Sequence, residues 1–228
     1  MPAHPLFADA DADADAHHAS GSDDALMRAW IGGEGEAFEC LYRRHSGPLY
    51  RFVRRLLGAA ASTRADEVFQ DTWSRVIQAR TRWSPQGASF RTWLFTIAQR
   101  LVIDVQRRSG RERSLDDDDA AAGWAPDGEP WQAWPAPPSS TVDATPGPAE
   151  QLFWRTAGAR LLQCLDALPT AQRAVFLLHH EDGLSLADAA QALQLGFETA
   201  KSRLRYAMDK LRTCMGAYLP AAAGEEPQ

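Results

Sequence analysis

Two short runs of charged and hydrogen-bonding side chains in this 228-residue chain have the types and spacing to do chemistry. Arg100, Asp104 and Arg107 recur at i, i+4 and i+7, so on a helix they line up, with Gln99 beside them and Arg91, Trp93 and Arg108 nearby. Arginines next to an aromatic suit phosphate contact and stacking on unpaired bases. The second run, Glu198, Thr199, Lys201, Ser202, Arg203 and Arg205, opens a helix just after a glycine-containing turn. Three cations, two hydroxyls and a carboxylate in that place suit a DNA major groove, where Arg and Lys favour guanine edges and phosphates. A third run, Asp66, Glu67, Gln70, Asp71 and Trp73, is polar and partly acidic, which fits a protein partner better than DNA. Bond-making chemistry is poorly provided for. His179, His180, Glu181 and Asp182 are sequence neighbours that cannot converge on a metal from one helix end. Neither a glycine-rich phosphate loop followed by Lys-Ser or Lys-Thr nor a nucleophile elbow occurs. The expectation is a binding protein with no catalytic residues, no metal, no cofactor and no small-molecule substrate.

Helical periodicity must position these runs. From Asp23 to Arg108 apolar residues recur at spacings of three and four, and nothing alternates as a strand would. Phe38, Leu41, Leu49, Phe52, Val53 and Leu56 predict a helix over 36–57. Val68, Phe69, Trp73, Val76 and Ile77 predict one over 65–79, with the acidic run opposite. After a break at Ser84-Pro85-Gln86-Gly87, Trp93, Leu94, Ile97, Leu101 and Val105 predict a third over 89–108. Periodicity returns at Ala149, and Leu152, Leu161, Leu162, Leu165 and Leu168 lead to Pro169. A helix over 171–180 buries Val175, Phe176 and Leu178 and stops at Gly183. Ser185 caps a short helix through Leu193, Gln194–Gly196 turn the chain, and a longer helix starts at Phe197. Its Ala200, Leu204, Ala207, Met208, Leu211 and Met215 face the core. Short helix, tight turn and longer basic helix form the helix-turn-helix layout.

The fold class this predicts is all-α: two small helical domains, 24–108 and 150–219, joined by a long flexible linker, 109–149, with a disordered acidic tail at 1–23 and a short tail at 220–228. The net charge of −6 argues against nucleic acid only as an average. Residues 25–108 carry 14 Arg against seven acids, 109–150 nine acids against two Arg, and 151–219 eight bases against six acids. Two basic segments around an acidic connector keep nucleic acid open as a partner. Fully extended, the linker reaches at most ~130 Å, and as a flexible chain it averages ~35 Å. Two domains so joined could touch points two duplex turns apart, roughly 70 Å. The linker also carries Trp124, Trp131 and Trp134 among prolines, a composition suited to docking on a partner. No window approaches the ~18 uncharged apolar residues of a membrane span, so no membrane insertion is expected. The N-terminus lacks the basic and apolar regions of a secretory signal. Cys40, Cys164 and Cys214 lie far apart, with no close pair to suggest a metal site or a disulfide framework. A soluble, reduced, cytoplasmic protein is expected.

In this order the elements resemble the extracytoplasmic-function class of bacterial RNA polymerase sigma factors, across nearly all of residues 24–215. The stretches that carry the resemblance are FECLYRRHSGPLYRFVRRLLG (38–58), ADEVFQDTWSRVI (65–77), FRTWLFTIAQRLVIDVQRR (90–108), LDALPTAQRAVFLLHHEDGLSLADAAQAL (165–193) and TAKSRLRYAMDKLR (199–212). The resemblance implies that the helix with Asp66, Glu67, Gln70, Asp71 and Trp73 docks on the coiled-coil clamp of core RNA polymerase. It implies that the helix with Arg91, Trp93, Gln99, Arg100, Asp104, Arg107 and Arg108 reads and helps melt the minus-ten promoter element. The helix-turn-helix would read the minus-thirty-five element as duplex DNA through Glu198, Thr199, Lys201, Ser202, Arg203 and Arg205. The linker would thread the polymerase channel, and an anti-sigma factor is an expected further partner. Arg100 stands where the family usually has Asn, and Glu198-Thr199-Ala200 where it usually reads Gly-Thr-Val. The competing reading is a stand-alone helix-turn-helix regulator, which would have no use for the acidic helix of the amino half.

Overall fold

The computed structural model describes residues 21–108 and 147–218. The expected tails and linker, with its three tryptophans, lie outside the described residues. Within them the regular structure is helical throughout.

The amino half is built from four helices. Helix α1 (Asp23–Ile31) starts where Ser22 Oγ accepts the Ala25 N–H at 3.3 Å, with Asp23 and Asp24 in its first turn. Asp23 also holds His45 at 2.7 Å and Arg44. Burial pulls the Asp23 carboxyl up, but those two partners outweigh it and leave the group below its ordinary value. Helix α2 (Gly35–Leu57) ends at Gly58, whose φ of 73° suits glycine. Helices α3 (Ala65–Ala79) and α4 (Phe90–Arg108) complete the half. Ser89 Oγ accepts the Thr92 N–H at 3.2 Å and so starts α4. Phe52 and Phe95 meet edge to face, 5.0 Å between centroids, in a core shared with Leu41, Leu49, Leu56, Phe90 and Leu94.

The carboxyl half comprises α5 (Pro148–Asp166), α6 (Thr170–Phe176), a π-helical turn over Leu177–Glu181, α7 (Leu186–Ala192) and α8 (Phe197–Met215). Ser185 Oγ accepts the Asp188 N–H at 3.1 Å, the expected cap of α7. Helix α7 closes in a Schellman motif: the Leu195 N–H reaches the Ala190 carbonyl, the Gln194 N–H reaches Gln191, and Gln194 takes φ 57°. Ala200, Leu204, Ala207, Met208, Leu211 and Met215 are all buried, as their spacing requires.

Four expectations need correction. The π turn ends α6 early and rotates the chain, so Leu177 is fully buried while Phe176 is only partly covered. On α5, Leu152 and Leu162 are 66% and 46% exposed, whereas the expected Leu165 is buried together with Ala157 and Cys164. On α3, Ile77 is 42% exposed. Cys164 and Cys214, 50 residues apart in sequence, are joined by a disulfide with 5.9 Å between Cα atoms, and Cys40 is a buried free thiol. Sequence separation concealed that pair, because the ends of α5 and α8 meet only after folding.

The two halves pack on each other. The Arg173 side chain, 8% exposed, donates to the carbonyls of Arg55 at 3.2 Å, Asp166 at 2.8 Å and Leu168 at 3.0 Å. Burial lowers the affinity of that guanidinium for its proton, and Asp166 opposes the shift. Asp166 also accepts the Ala59 N–H at 3.3 Å. Glu181 pairs with Arg55 and, at 3.6 Å, with Arg51, and Gln191 Nε2 donates to the Gly87 carbonyl at 2.6 Å.

Candidate nucleic-acid interface

The acidic run on α3 divides by burial. Asp66, Glu67, Gln70 and Asp71 are exposed. Arg64 holds Glu67 through hydrogen bonds of 3.1 and 3.3 Å and lowers its carboxyl below the ordinary range. Asp66 hydrogen-bonds Tyr50 and raises its phenol. Trp73, in contrast, is 5% exposed and packs against Phe38 and Tyr42, with ring centroids 5.8 and 4.9 Å away. It supports the acidic face from beneath, which corrects its expected place on the docking surface.

On α4, Gln99, Arg100, Asp104 and Arg107 line one cavity of about 460 Å³. Arg203 of α8 lines the same cavity from the other half, with Arg75 of α3 and Gln194 of the α7–α8 turn. Four guanidinium groups and one carboxylate therefore converge where the halves meet, a concave and strongly positive site. Leu56, Ile103, Leu193 and Leu195 form its apolar wall. Arg91 and Trp93 sit at the other end of α4, half-buried, with Trp93 against Phe90 at 6.2 Å. Arg108 is exposed.

Glu198, Thr199, Lys201 and Arg205 on α8 are exposed, and Ser202 and Arg203 are half-buried. Ser202 Oγ donates to the Thr199 carbonyl at 3.0 Å, Lys201 lies 4.0 Å from Glu198, and the Arg205 guanidinium sits 5.1 Å from the Tyr206 ring centroid. The structure thus gathers five of the expected DNA residues around one cavity and leaves the rest outside it, exposed or half-buried on α4 and α8.

Sequence reasoning missed the groups that set this arrangement. Arg173 lies 118 residues from the Arg55 carbonyl it caps, and no local pattern marks such a contact. Asp182, beside Glu181 at the junction, is 4% exposed and neither carboxylate oxygen has a hydrogen-bond partner. Burial first, then the Glu181 charge, push this carboxyl up to about 7 against the pull of Arg91, Arg51 and Arg55.

Described residues that are helical throughout, with a helix-turn-helix and a second arginine-rich helix, fit the class of nucleic-acid-binding proteins. Comparison with known proteins narrows the class. Residues 41–112 match the family model of Sigma-70 region 2, and residues 158–211 match that of Sigma-70 region 4. The ECF RNA polymerase sigma factor SigL of Mycobacterium tuberculosis is 31% identical over 194 residues, covering 85% of this chain and 91% of that protein. The ECF RNA polymerase sigma factor RpoE of Cereibacter sphaeroides is 32% identical over 191 residues, covering 84% and 93%. Among solved structures, CnrH in complex with the cytosolic domain of CnrY shares the fold, with a TM-score of 0.59, 24% identity and coverage of 86% of this chain and 99% of that one. The chain belongs to the extracytoplasmic-function class of RNA polymerase sigma factors: it is an alternative sigma factor that directs promoter-specific transcription. Among the described residues, no helix is long and apolar enough to cross a membrane.

Proposed function

We propose a division of labour between the faces described above. The exposed acids of α3, Asp66, Glu67 and Asp71, with Gln70, dock core RNA polymerase. Arg91, Trp93, Gln99, Arg100, Asp104, Arg107 and Arg108 of α4 read and melt the minus-ten element, with the arginines on phosphate and the aromatic available for stacking. Glu198, Thr199, Lys201, Ser202, Arg203 and Arg205 of α8 read the minus-thirty-five element in the major groove. The domain limits are 24–108 and 150–219, with 109–149 as the connector. The protein acts in the cytoplasm by redirecting a polymerase rather than by covalent chemistry, and an anti-sigma factor holds it until needed. The supporting observation is the placement of charge: Asp66, Glu67 and Asp71 of α3 are exposed, while Arg100 and Arg107 of α4 and Arg203 of α8 line one cavity. A protein docking face and a DNA face on one small domain are what a polymerase specificity subunit needs.

The test is reconstitution. Purified chain is added to bacterial core RNA polymerase, and run-off transcription is measured on a genomic fragment library. Discrete transcripts that require the chain support the proposal. Promoter binding by the chain in the absence of any affinity for core polymerase would overturn it in favour of a stand-alone regulator.

A further inference from the structure

Four arginines from three helices share the cavity between the two halves, and the function proposed above makes no use of it as an enclosed space. We propose that it is a binding site for a guanine nucleoside diphosphate, an effector rather than a substrate, with its phosphates among Arg75, Arg100, Arg107 and Arg203 and its base on Asp104. Arg75 comes from α3, Arg100 and Arg107 from α4, and Arg203 from α8. At about 460 Å³ the cavity has the size of a small-molecule site, for which about 300–1,000 Å³ is usual. It is too small for a DNA duplex, whose major groove alone is about 12 Å wide.

Charge selects the class of ligand. Four guanidinium groups and one carboxylate leave three positive charges in the lining. Among the described residues, the side chains of Arg75, Arg100 and Asp104 form no ion pair or hydrogen bond with another residue, so their charge is not cancelled within the protein. A nucleoside diphosphate brings about three negative charges at neutral pH, and a monophosphate about two. Arginine keeps its charge at any working pH and pairs with phosphate oxygens two at a time. Leu195 of the lining stands two residues before α8, so the positive end of that 19-residue helix adjoins the same space.

The rest of the lining selects the base. Its apolar wall offers a surface for one face of a purine. Asp104 is the only carboxylate among the described lining residues and lies one helical turn from both Arg100 and Arg107. An ionised carboxylate only accepts hydrogen bonds. Guanine presents two adjacent N–H donors on its pairing edge, whereas adenine offers an amino group beside an acceptor nitrogen, so Asp104 favours guanine. Arg100, Asp104, Arg107 and Arg203 are also assigned above to DNA, and side chains that hold a nucleotide in the cavity are not available to a promoter. Occupancy therefore opposes DNA reading. That consequence rests on the function proposed above, while the binding itself does not.

The experiment titrates the full chain with GDP, ADP and inorganic pyrophosphate by calorimetry, in buffer without divalent cations. One GDP per chain is expected, with a Kd of about 1–100 µM, and ADP and pyrophosphate should each bind about tenfold more weakly or worse. Arg75 is exposed and has no part in the docking or reading faces proposed above. Arg75→Glu should therefore melt near the wild type while binding GDP about tenfold more weakly or worse. Asp104→Asn should lose the preference for GDP over ADP. No heat of binding at about 1 mM GDP, pyrophosphate or ADP binding as tightly as GDP, or unchanged GDP affinity in Arg75→Glu overturns the proposal. In run-off transcription, GDP at about ten times its Kd, added to the chain before limiting core polymerase, should cut transcripts by up to about tenfold and spare those of Arg75→Glu. Transcripts unchanged by GDP, or cut equally for both chains, overturn the effector role. A chain that gives no transcripts under any condition counts against the sigma reading alone, since calorimetry still reports on the site.

Discussion

Gly58 stands where the two halves touch, and a Cβ placed on it would lie 2.8 Å from Arg173 Nη1 and 3.2 Å from Asp166 Oδ1. Its positive φ and this close approach both call for glycine. Gly58→Ala is expected to cost about 1–3 kcal/mol of stability in chemical denaturation, through backbone strain and a displaced guanidinium. Asp182 poses the opposite case, a polar group that burial makes costly. Its carboxyl titrates at about 7 in the folded protein against 3.8 ordinarily, so between those values the folded chain holds a proton that the unfolded chain has lost. Stability is therefore fully present below about pH 4, falls as pH rises, and levels off above about 7. Asp182→Asn keeps the shape and removes the titration. It should match the wild type near pH 4 and exceed it by about 1–3 kcal/mol at pH 8, read from denaturation midpoints across pH. A variant that kept the wild-type slope would assign that slope to another group.

Among the helices, α3 and α8 carry the roles most easily separated by substitution. The double variant Asp66→Lys/Asp71→Lys changes two exposed residues, so its melting midpoint should fall only by the small cost of the lost Asp66–Tyr50 hydrogen bond and of a cation in the first turn of α3. Its affinity for core polymerase should fall by about tenfold or more, since like charge now meets a face suited to acids. On α8, Lys201→Ala and Arg205→Ala should each flatten the dependence of log affinity on log salt by about 1, measured on duplex DNA. Glu198→Ala should instead change which sequences bind. The helices themselves were largely legible, because three- and four-residue spacing and the breaks between gave the limits of α2, α3 and α4, and the start of α8, to within one residue of those observed. Periodicity failed on α5, where Leu152 and Leu162 are apolar and exposed, since a stripe of leucines does not say which side meets a neighbour. It failed again at Leu177–Glu181, where a π turn breaks the 3.6-residue repeat on which the reading depends. Trp73 was read both as part of the apolar stripe and as part of the docking run, and its packing against Phe38 and Tyr42 favours the stripe.

For the whole molecule, the consequence lies in how the halves close. Arg100 and Arg107 of α4 and Arg203 of α8 face one cavity of about 460 Å³. A duplex whose major groove alone is about 12 Å wide cannot enter it. If α4 and α8 read DNA as proposed, the cavity-lining Arg203 reaches a duplex only when the halves part, and the contacts that hold them span more than a hundred residues of sequence, beyond any local pattern. Two of those contacts can be removed without touching the docking or reading faces: the Glu181 pairs with Arg51 and Arg55, and the Gln191 hydrogen bond to Gly87. Each is of a kind worth about 0.5–1.5 kcal/mol, so the double variant Glu181→Gln/Gln191→Ala should shift the balance toward the open form by about tenfold. Two readouts should move together. Fluorescent labels at Arg82 and Lys210, exposed on opposite halves, should report a longer mean distance, and the chain alone should bind minus-thirty-five duplex more tightly by a similar factor. Transcription in the presence of saturating core polymerase should change little if docking on the polymerase itself parts the halves. A longer label distance with unchanged duplex affinity would show that the closed packing leaves α8 accessible, and would place the obstacle to DNA binding in the reading face itself.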